Sequence, residues 1–201
     1  MGVASRDLQS LIASRICHDL ISPIGAIGNG LELLTELSAE GSPELMLIDQ
    51  SARSANAKLR YFRMAFGAAR PDMLVGREEL ERILQDMFSN TKLKVGIQTG
   101  SESLPRPIVK LALLLILCAE KALPFGGQLD LAISTDAASF RAESREVRAD
   151  PELWDALASG VLPDELASDQ VQFALTAYCL AELNLRAMVE YDTSTLSVGV
   201  T

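Results

Sequence analysis

The chain has few of the side chains that most enzyme active sites use. Its 201 residues include one histidine, three cysteines and one tryptophan, and aromatic residues make up only 5%. The cysteines, Cys17, Cys118 and Cys179, form no Cys-x-x-Cys pair and have no histidine cluster beside them, which argues against a zinc site. Each lies in an apolar helical pattern, so we expect three buried thiols in a reducing compartment.

Positive charge and long apolar runs are also scarce. The 18 basic residues are outnumbered by 27 acidic ones, which gives a net charge of -9. This balance argues against nucleic acid or an anionic membrane as a partner and favours proteins or small molecules. The longest apolar run, residues 111–119, is too short to span a bilayer, and the N-terminus has no signal-peptide pattern. We therefore expect a cytoplasmic protein.

The one histidine, His18, lies in a long amphipathic segment. Apolar residues recur there at steps of three and four, which is typical of one stripe of a helix; they are Ile12, Ile16, Leu20, Ile24, Ile27, Leu31 and Leu34. His18 falls opposite this stripe, on a face that it shares with Ser22, Gly25 and Asn29. The imidazole should therefore point outward across a surface of small side chains.

The neighbours of His18 are suited to nucleophilic chemistry. A neutral imidazole can attack phosphorus, and Asp19 could hold one ring nitrogen as N–H and leave the other as the nucleophile. Ser22, one turn further on, could donate a hydrogen bond to a phosphoryl oxygen. Pro23 cannot donate to the carbonyl of Asp19, so the helix should loosen and leave that carbonyl free. The alternative is that His18 is an ordinary surface histidine.

A second helix is expected to follow a break at residues 39–42, with Ser42 as its N-cap and Pro43 at its first position. Its apolar residues have the alternating spacing of a four-helix-bundle seam; they are Leu45, Ile48, Ala52, Ala55, Leu59, Phe62 and Phe66. Two antiparallel helices cannot cover all this apolar surface by themselves. A homodimer that completes a four-helix bundle is the simplest solution, and docking on the rest of the chain is the alternative.

The pattern changes after residue 71. Helices are expected at residues 78–88, 107–123 and 170–183, with a short helix capped by Asp150 before Pro151. Strands are expected at residues 92–98, 129–134, 140–148, 185–191 and 195–200. This alternation predicts an α+β fold: a helical hairpin in residues 1–70, then a domain in residues 72–201 whose antiparallel or mixed sheet is covered by helices.

Residues 18–24 resemble the phosphoacceptor box of sensor histidine kinases: a histidine, an acid, an apolar residue, two variable positions and a proline. The longer segment 14–34 is similar to the ChpT-type histidine phosphotransferases of alphaproteobacterial cell-cycle phosphorelays. The resemblance continues more weakly beyond residue 70. It implies a dimeric helical hairpin followed by an α/β sandwich related to the ATP-binding domain of the kinases.

The motifs that hold nucleotide in active kinases are missing here. Cys118 stands where the kinases carry a magnesium-binding asparagine, and a neutral thiol is a poor ligand for this hard cation. No Asp-x-Gly-x-Gly sequence follows, since Asp130 and Asp136 have no glycine two residues later, and there is no second glycine-rich loop. The resemblance therefore implies a degenerate domain without a nucleotide site, and we expect no cofactor.

The resemblance also implies a function. Receiver domains of a hybrid histidine kinase and of response regulators would exchange a phosphoryl group through His18, with Asp19 and Ser22 assisting and with magnesium carried by the receiver. Four residues are candidates for docking the receiver: Ile21, Gly25, Asn29 and, from the second helix, Arg63, which could steady the phosphoryl charge. Loose surface packing and a solvated arginine are the simpler interpretations of these four.

Two other functions stay open at this point. A dimeric scaffold would bind receivers without carrying phosphate, and a divergent autokinase would phosphorylate His18 from ATP. A serine hydrolase is more remote, because the chain has no Gly-x-Ser-x-Gly sequence.

Overall fold

The computed structural model describes residues 5–37 and 43–201. It begins with two long helices, α1 (Ser5–Leu37) and α2 (Pro43–Phe66), which pack against each other along their length. Helix α1 continues through Pro23 as one element. The expected break at residues 39–42, with its N-cap Ser42, lies outside the described residues. The predicted helical hairpin is otherwise confirmed.

The rest of the chain alternates strands and helices. Its helices are α3 (Arg77–Phe88), α4 (Arg106–Ala122), α5 (Pro151–Ser159) and α6 (Val171–Leu183), the last preceded by a 3₁₀ turn at Ser168–Gln170. Its strands are β1 (Leu74–Gly76), β2 (Leu93–Gln98), β3 (Ser103–Pro105), β4 (Gly127–Ile133), β5 (Ala138–Glu143), β6 (Ala187–Tyr191) and β7 (Thr195–Val200). The predicted α+β class is confirmed.

The main sheet has five strands in the order β2-β4-β5-β7-β6. Strands β2 and β4 are parallel, and the other neighbours are antiparallel. Sequence patterning did not predict the two-stranded ribbon of β1 and β3, because three residues are too few to show an alternation. The turn into β4 needs glycine: Gly127 has φ 145°, and a Cβ there would lie 2.2 Å from the carbonyl oxygen of Glu143.

One side of the sheet is covered by helices. Along β4 the side chains of Leu129, Leu131 and Ile133 are buried and alternate with exposed ones, as expected for a sheet with one wet face. Helix α4 is buried over most of its length, since it lies between the sheet, α6 and α2. Asp150 caps α5 by accepting a hydrogen bond from the amide of Glu152 over 3.1 Å.

Helix α2 belongs to this core as much as to the hairpin. Tyr61, Phe62 and Ala65 are fully buried, and the Tyr61 hydroxyl donates to the carbonyl of Leu113 in α4 over 2.8 Å. The Tyr61 ring also packs edge-on against Phe88 at a centroid distance of 5.7 Å. The division between residues 1–70 and 72–201 stays a prediction, and the second half of α2 packs across it.

The structure corrects one expectation about the cysteines. Cys118 and Cys179 are buried, but Cys17 is exposed, so the expectation of three buried thiols was wrong for Cys17. Cys17 directly precedes His18, and its side chain faces solvent. None of the helices within residues 5–37 and 43–201 combines the length and the apolarity that a bilayer crossing requires.

Candidate functional site around His18

His18 lies on the solvent side of α1, where the helical pattern placed it. Its side chain is 81% exposed. Ser22, Gly25 and Asn29 are also exposed, and they follow His18 along the helix at steps of three and four. Ile21 is 69% exposed, although it is a large apolar side chain. Together these residues form one open surface around the imidazole.

The imidazole is held by the neighbouring acid. Nδ1 of His18 lies 3.1 Å from Oδ1 of Asp19. An ionised carboxylate can only accept a hydrogen bond, so Nδ1 carries the proton in this contact. In a neutral imidazole with this tautomer, the other ring nitrogen, Nε2, has a free lone pair. Since the ring is exposed, this lone pair is available to a reactant that approaches from solvent.

Asp19 is itself held from two sides. Nε of Arg15 donates to Oδ2 of Asp19 over 2.8 Å, in a pair that is only 14% and 17% exposed. Nζ of Lys58 on α2 donates to the main-chain carbonyl of Asp19 over 3.0 Å. This is the carbonyl that Pro23 was expected to leave free. The freed acceptor is therefore paired, by a residue that the sequence analysis did not single out.

A polar cleft opens beside Lys58. Its volume is about 940 Å³, and it runs between α2 and the end of α3, with Glu120 of α4 on its wall. Burial raises the pKa of the Glu120 carboxyl, and the charge of Asp19 adds to this, while Arg15 and Lys58 oppose it. The pKa of Glu120 therefore depends on the charges of Asp19, Arg15 and Lys58, the residues around the base of His18.

Arg63 lies further along α2 than the contact with Asp19. It is five residues beyond Lys58, which is about 7.5 Å along a helix axis. There it borders an apolar groove of about 440 Å³, lined also by Ile16, Leu59 and Phe66. The residues that hold Asp19 are therefore Arg15 and Lys58. Lys58 could have been suspected, because a carbonyl freed by Pro23 needs a donor.

Cys118, which the resemblance to the sensor kinases places at the position of a magnesium-binding asparagine, is closed off from solvent. The side chain of Cys118, in α4, is fully buried against α6, with its Sγ 3.5 Å from Oγ1 of Thr176. Burial raises the pKa of this thiol to about 12, and the hydrogen bond with Thr176 opposes the shift. Within the described part of the chain, no three His, Cys, Asp or Glu side chains are placed to hold a metal ion.

Comparisons with known proteins show the family of the chain. Residues 77–195 match the family model of the histidine phosphotransferase C-terminal domain. The protein phosphotransferase ChpT of Brucella abortus (strain 2308) is 36% identical over 168 residues, which are 81% of this chain and 79% of the relative. A solved structure of a bacterial phosphotransferase is 32% identical and has a TM-score of 0.83, with 100% of this chain and 98% of the other covered.

The family match spans more than half of the chain, and the relatives extend it over the helical hairpin. The chain belongs to the family of ChpT-type histidine phosphotransferases.

Proposed function

We propose that this phosphotransferase carries its phosphoryl group on Nε2 of His18 and passes it between the aspartates of two receiver domains. One observation carries the proposal: the imidazole is exposed, and its Nδ1 is held by Asp19 over 3.1 Å. An ordinary surface histidine would not need a half-buried carboxylate such as Asp19 beside it. It would also not need Arg15 and Lys58 to hold that residue in place.

The transfer step is a displacement at phosphorus. The Nε2 lone pair attacks the aspartyl phosphate of the first receiver, and the Nε2–P bond forms as the P–O bond to that aspartate breaks. The electron pair of the broken bond leaves on the aspartate carboxylate. The phosphorylated ring carries positive charge, which the carboxylate of Asp19 stabilises through Nδ1–H. A second receiver reverses these events with its own aspartate.

The exposed surface around His18 suits a docking protein. Gly25 and Asn29 are small enough to let a receiver domain approach α1 closely. Ile21 is an exposed apolar side chain that such a partner could bury. Ser22 lies one turn from His18 along α1, and we expect its hydroxyl to donate to a phosphoryl oxygen. Arg63 is the candidate contact on α2. We infer that the partners are cytoplasmic receiver domains of a hybrid histidine kinase and of response regulators, and that magnesium arrives with the receiver.

The same hairpin is proposed to form a homodimer. The stripe of α1 and the seam of α2 both keep large apolar side chains in solvent: Ile24, Leu31, Leu45 and Leu59. The groove beside Arg63 adds apolar surface next to Leu59. A second copy that completes a four-helix bundle would cover these residues. Docking on the rest of the chain accounts for Phe62 of the seam, which is buried, but leaves these four exposed.

An autokinase is the less favoured alternative. Its magnesium ligand would have to come from the place where Cys118 is buried against Thr176, and a thiol with a raised pKa stays neutral at physiological pH. The phosphoryl group is therefore expected from a phospho-receiver and not from ATP.

The test is a phosphotransfer assay with a matched variant. Radiolabelled phospho-receiver is mixed with the wild type or with His18→Gln, and a separate sample of the wild type receives radiolabelled ATP and no receiver. We expect acid-labile, alkali-stable label on the wild type from the receiver alone. Label from ATP would indicate a kinase. If the wild type binds the receiver but acquires no label, the protein is a scaffold. Label on His18→Gln would mean that a residue other than His18 carries the phosphoryl group.

A further inference from the structure

Arg15 joins the phosphoacceptor helix to the second domain. Its Nε donates to Oδ2 of Asp19 over 2.8 Å, and its Nη1 donates to the main-chain carbonyl of Asp169 over 3.1 Å. Asp169 lies in the 3₁₀ turn before α6, 154 residues away in sequence. One planar guanidinium thus bridges two distant parts of the chain.

The bridge continues to the imidazole. Asp19 uses Oδ2 for Arg15 and Oδ1 for His18, so hydrogen bonds run without interruption from the carbonyl of Asp169 to Nδ1 of His18. Adjacent helical side chains point about 100° apart, so Asp19 reaches the ring in only some of its rotamers. The contact with Arg15 restricts Asp19 to a rotamer that does.

The far end of the bridge is fixed. The carbonyl of Asp169 also accepts a hydrogen bond from Nε2 of Gln172 over 2.8 Å, and Gln172 is buried in α6. The Asp169 carboxylate is paired with Lys121 of α4. Both lone pairs of the Asp169 carbonyl therefore accept hydrogen bonds. Helices α4 and α6 hold the turn to which Arg15 donates.

We infer that Arg15 is a positioning residue, through which the second domain holds Asp19 so that the His18 proton stays on Nδ1. The inference rests on the phosphotransfer through His18 proposed above. We assign Arg15 no contact with the phosphoryl group, because its Nε faces Asp19 and its Nη1 faces Asp169. The domain that resembles a kinase ATPase then has a role that needs no nucleotide: it sets the tautomer of the phosphoacceptor.

The single histidine makes the inference directly testable. With histidine labelled by ¹⁵N, the imidazole signals come from His18 alone and report which ring nitrogen carries the proton. We expect mainly Nδ1–H in the wild type and a mixture of tautomers in Arg15→Gln. The rate of transfer from phospho-receiver should fall about 10-fold in this variant. Arg15→Lys, which keeps the charge beside Asp19 but lacks the fork, should lose about threefold.

The matched control is Arg77→Gln. Arg77 donates from Nε to Glu81 over 2.7 Å, four residues away along α3, which is the same kind of pair without a bridge to another domain. Both the tautomer and the transfer rate should stay at wild-type values in this control. Should Arg15→Gln fail to fold by circular dichroism, Arg15→Lys carries the test by the same criteria.

The outcomes separate this inference from the proposed function. An unchanged tautomer in Arg15→Gln overturns the inference, whether or not the rate falls, because a fall would then have another cause. Where the wild type does accept the phosphoryl group, a shifted tautomer with an unchanged transfer rate overturns it too, because Arg15 then has no positioning role in the transfer. If the tautomer shifts but the wild type accepts no phosphoryl group, the positioning is upheld and the proposed function is wrong.

Discussion

Lys58 donates a hydrogen bond to the main-chain carbonyl of Asp19 over 3.0 Å and so ties α2 to α1 beside the phosphoacceptor. The carbonyl is open to Lys58 because residue 23, four positions on, is a proline without an N–H. An ammonium from the neighbouring helix thus replaces the missing helical hydrogen bond. The proline and the lysine act as a pair, although they lie 35 positions apart in sequence.

This pairing predicts a coupling between two substitutions. Lys58→Met keeps most of the side-chain length but removes the donor, and it should lower the free energy of unfolding by about 1 to 2 kcal/mol. In a Pro23→Ala background the amide of residue 23 pairs the carbonyl, so the same substitution should cost less than about 0.5 kcal/mol. Urea denaturation of the four proteins measures the difference.

Lys94 provides the control for this double-mutant cycle of Lys58 and Pro23. Its ammonium also donates to main-chain carbonyls, those of Ser89 and Thr91, but it is exposed. Lys94→Met should change stability by less than about 0.5 kcal/mol in either background. Equal costs of Lys58→Met with and without Pro23 would show that the lysine does not replace the missing helical bond.

The raised pKa of Glu120 predicts a pH dependence of stability. Burial disfavours its ionised form, so the folded state binds the proton more tightly than the unfolded state does. The stabilising contribution of the protonated group is complete below the ordinary value of 4.5 and is lost as the pH rises through the raised pKa. Glu120→Gln mimics the neutral group and should therefore gain stability over the wild type as the pH rises towards neutral.

The measurement is the urea midpoint of both proteins between about pH 4 and pH 7. Glu190→Gln, at an exposed position of β6, is the matched control and should follow the wild-type curve at all pH values. If the urea midpoints of Glu120→Gln and the wild type differ by the same amount at every pH, the pKa of Glu120 is the same in the folded and the unfolded state.

The three thiols should react at different rates. Cys17 is exposed, whereas burial raises the pKa of Cys118 to about 12 and that of Cys179 to about 11. Since the thiolate is the reactive form, a disulfide reagent should modify one thiol per chain quickly and two more only after unfolding. Cys17→Ser should abolish the fast phase. Two fast thiols in the wild type would contradict the packing of α4 and α6.

Much of the fold follows from local patterns. The buried helix α4, the alternation along β4 and the final hairpin of β6 and β7 all have periodicities that a sequence displays. The exposed position of His18 follows in the same way, from its place opposite the apolar stripe. Such features depend on residues a few positions apart, and helical or strand geometry alone relates them.

The supports of the site depend on distant residues. Arg15 meets Asp169 across 154 positions, and Lys58 meets Asp19 across 39. No spacing rule relates such pairs. Lys58 meets Asp19 only when α2 packs against α1, and Arg15 meets Asp169 only when the turn before α6 packs against α1. The exposure of Cys17 was missed for another reason: it lies between Ile16 and His18, at the border of the apolar stripe, where periodicity does not decide the side.

The regiochemistry of the phosphohistidine is the measurement to make first. Protein with ¹⁵N-labelled histidine is phosphorylated by a phospho-receiver, and ¹⁵N–³¹P coupling is recorded at its one imidazole. Asp19 holds Nδ1, so we expect phosphorus on Nε2 with Nδ1 still protonated. Phosphorus on Nδ1, or an unmodified imidazole in a chain that carries the phosphoryl group, would contradict the proposed role of His18.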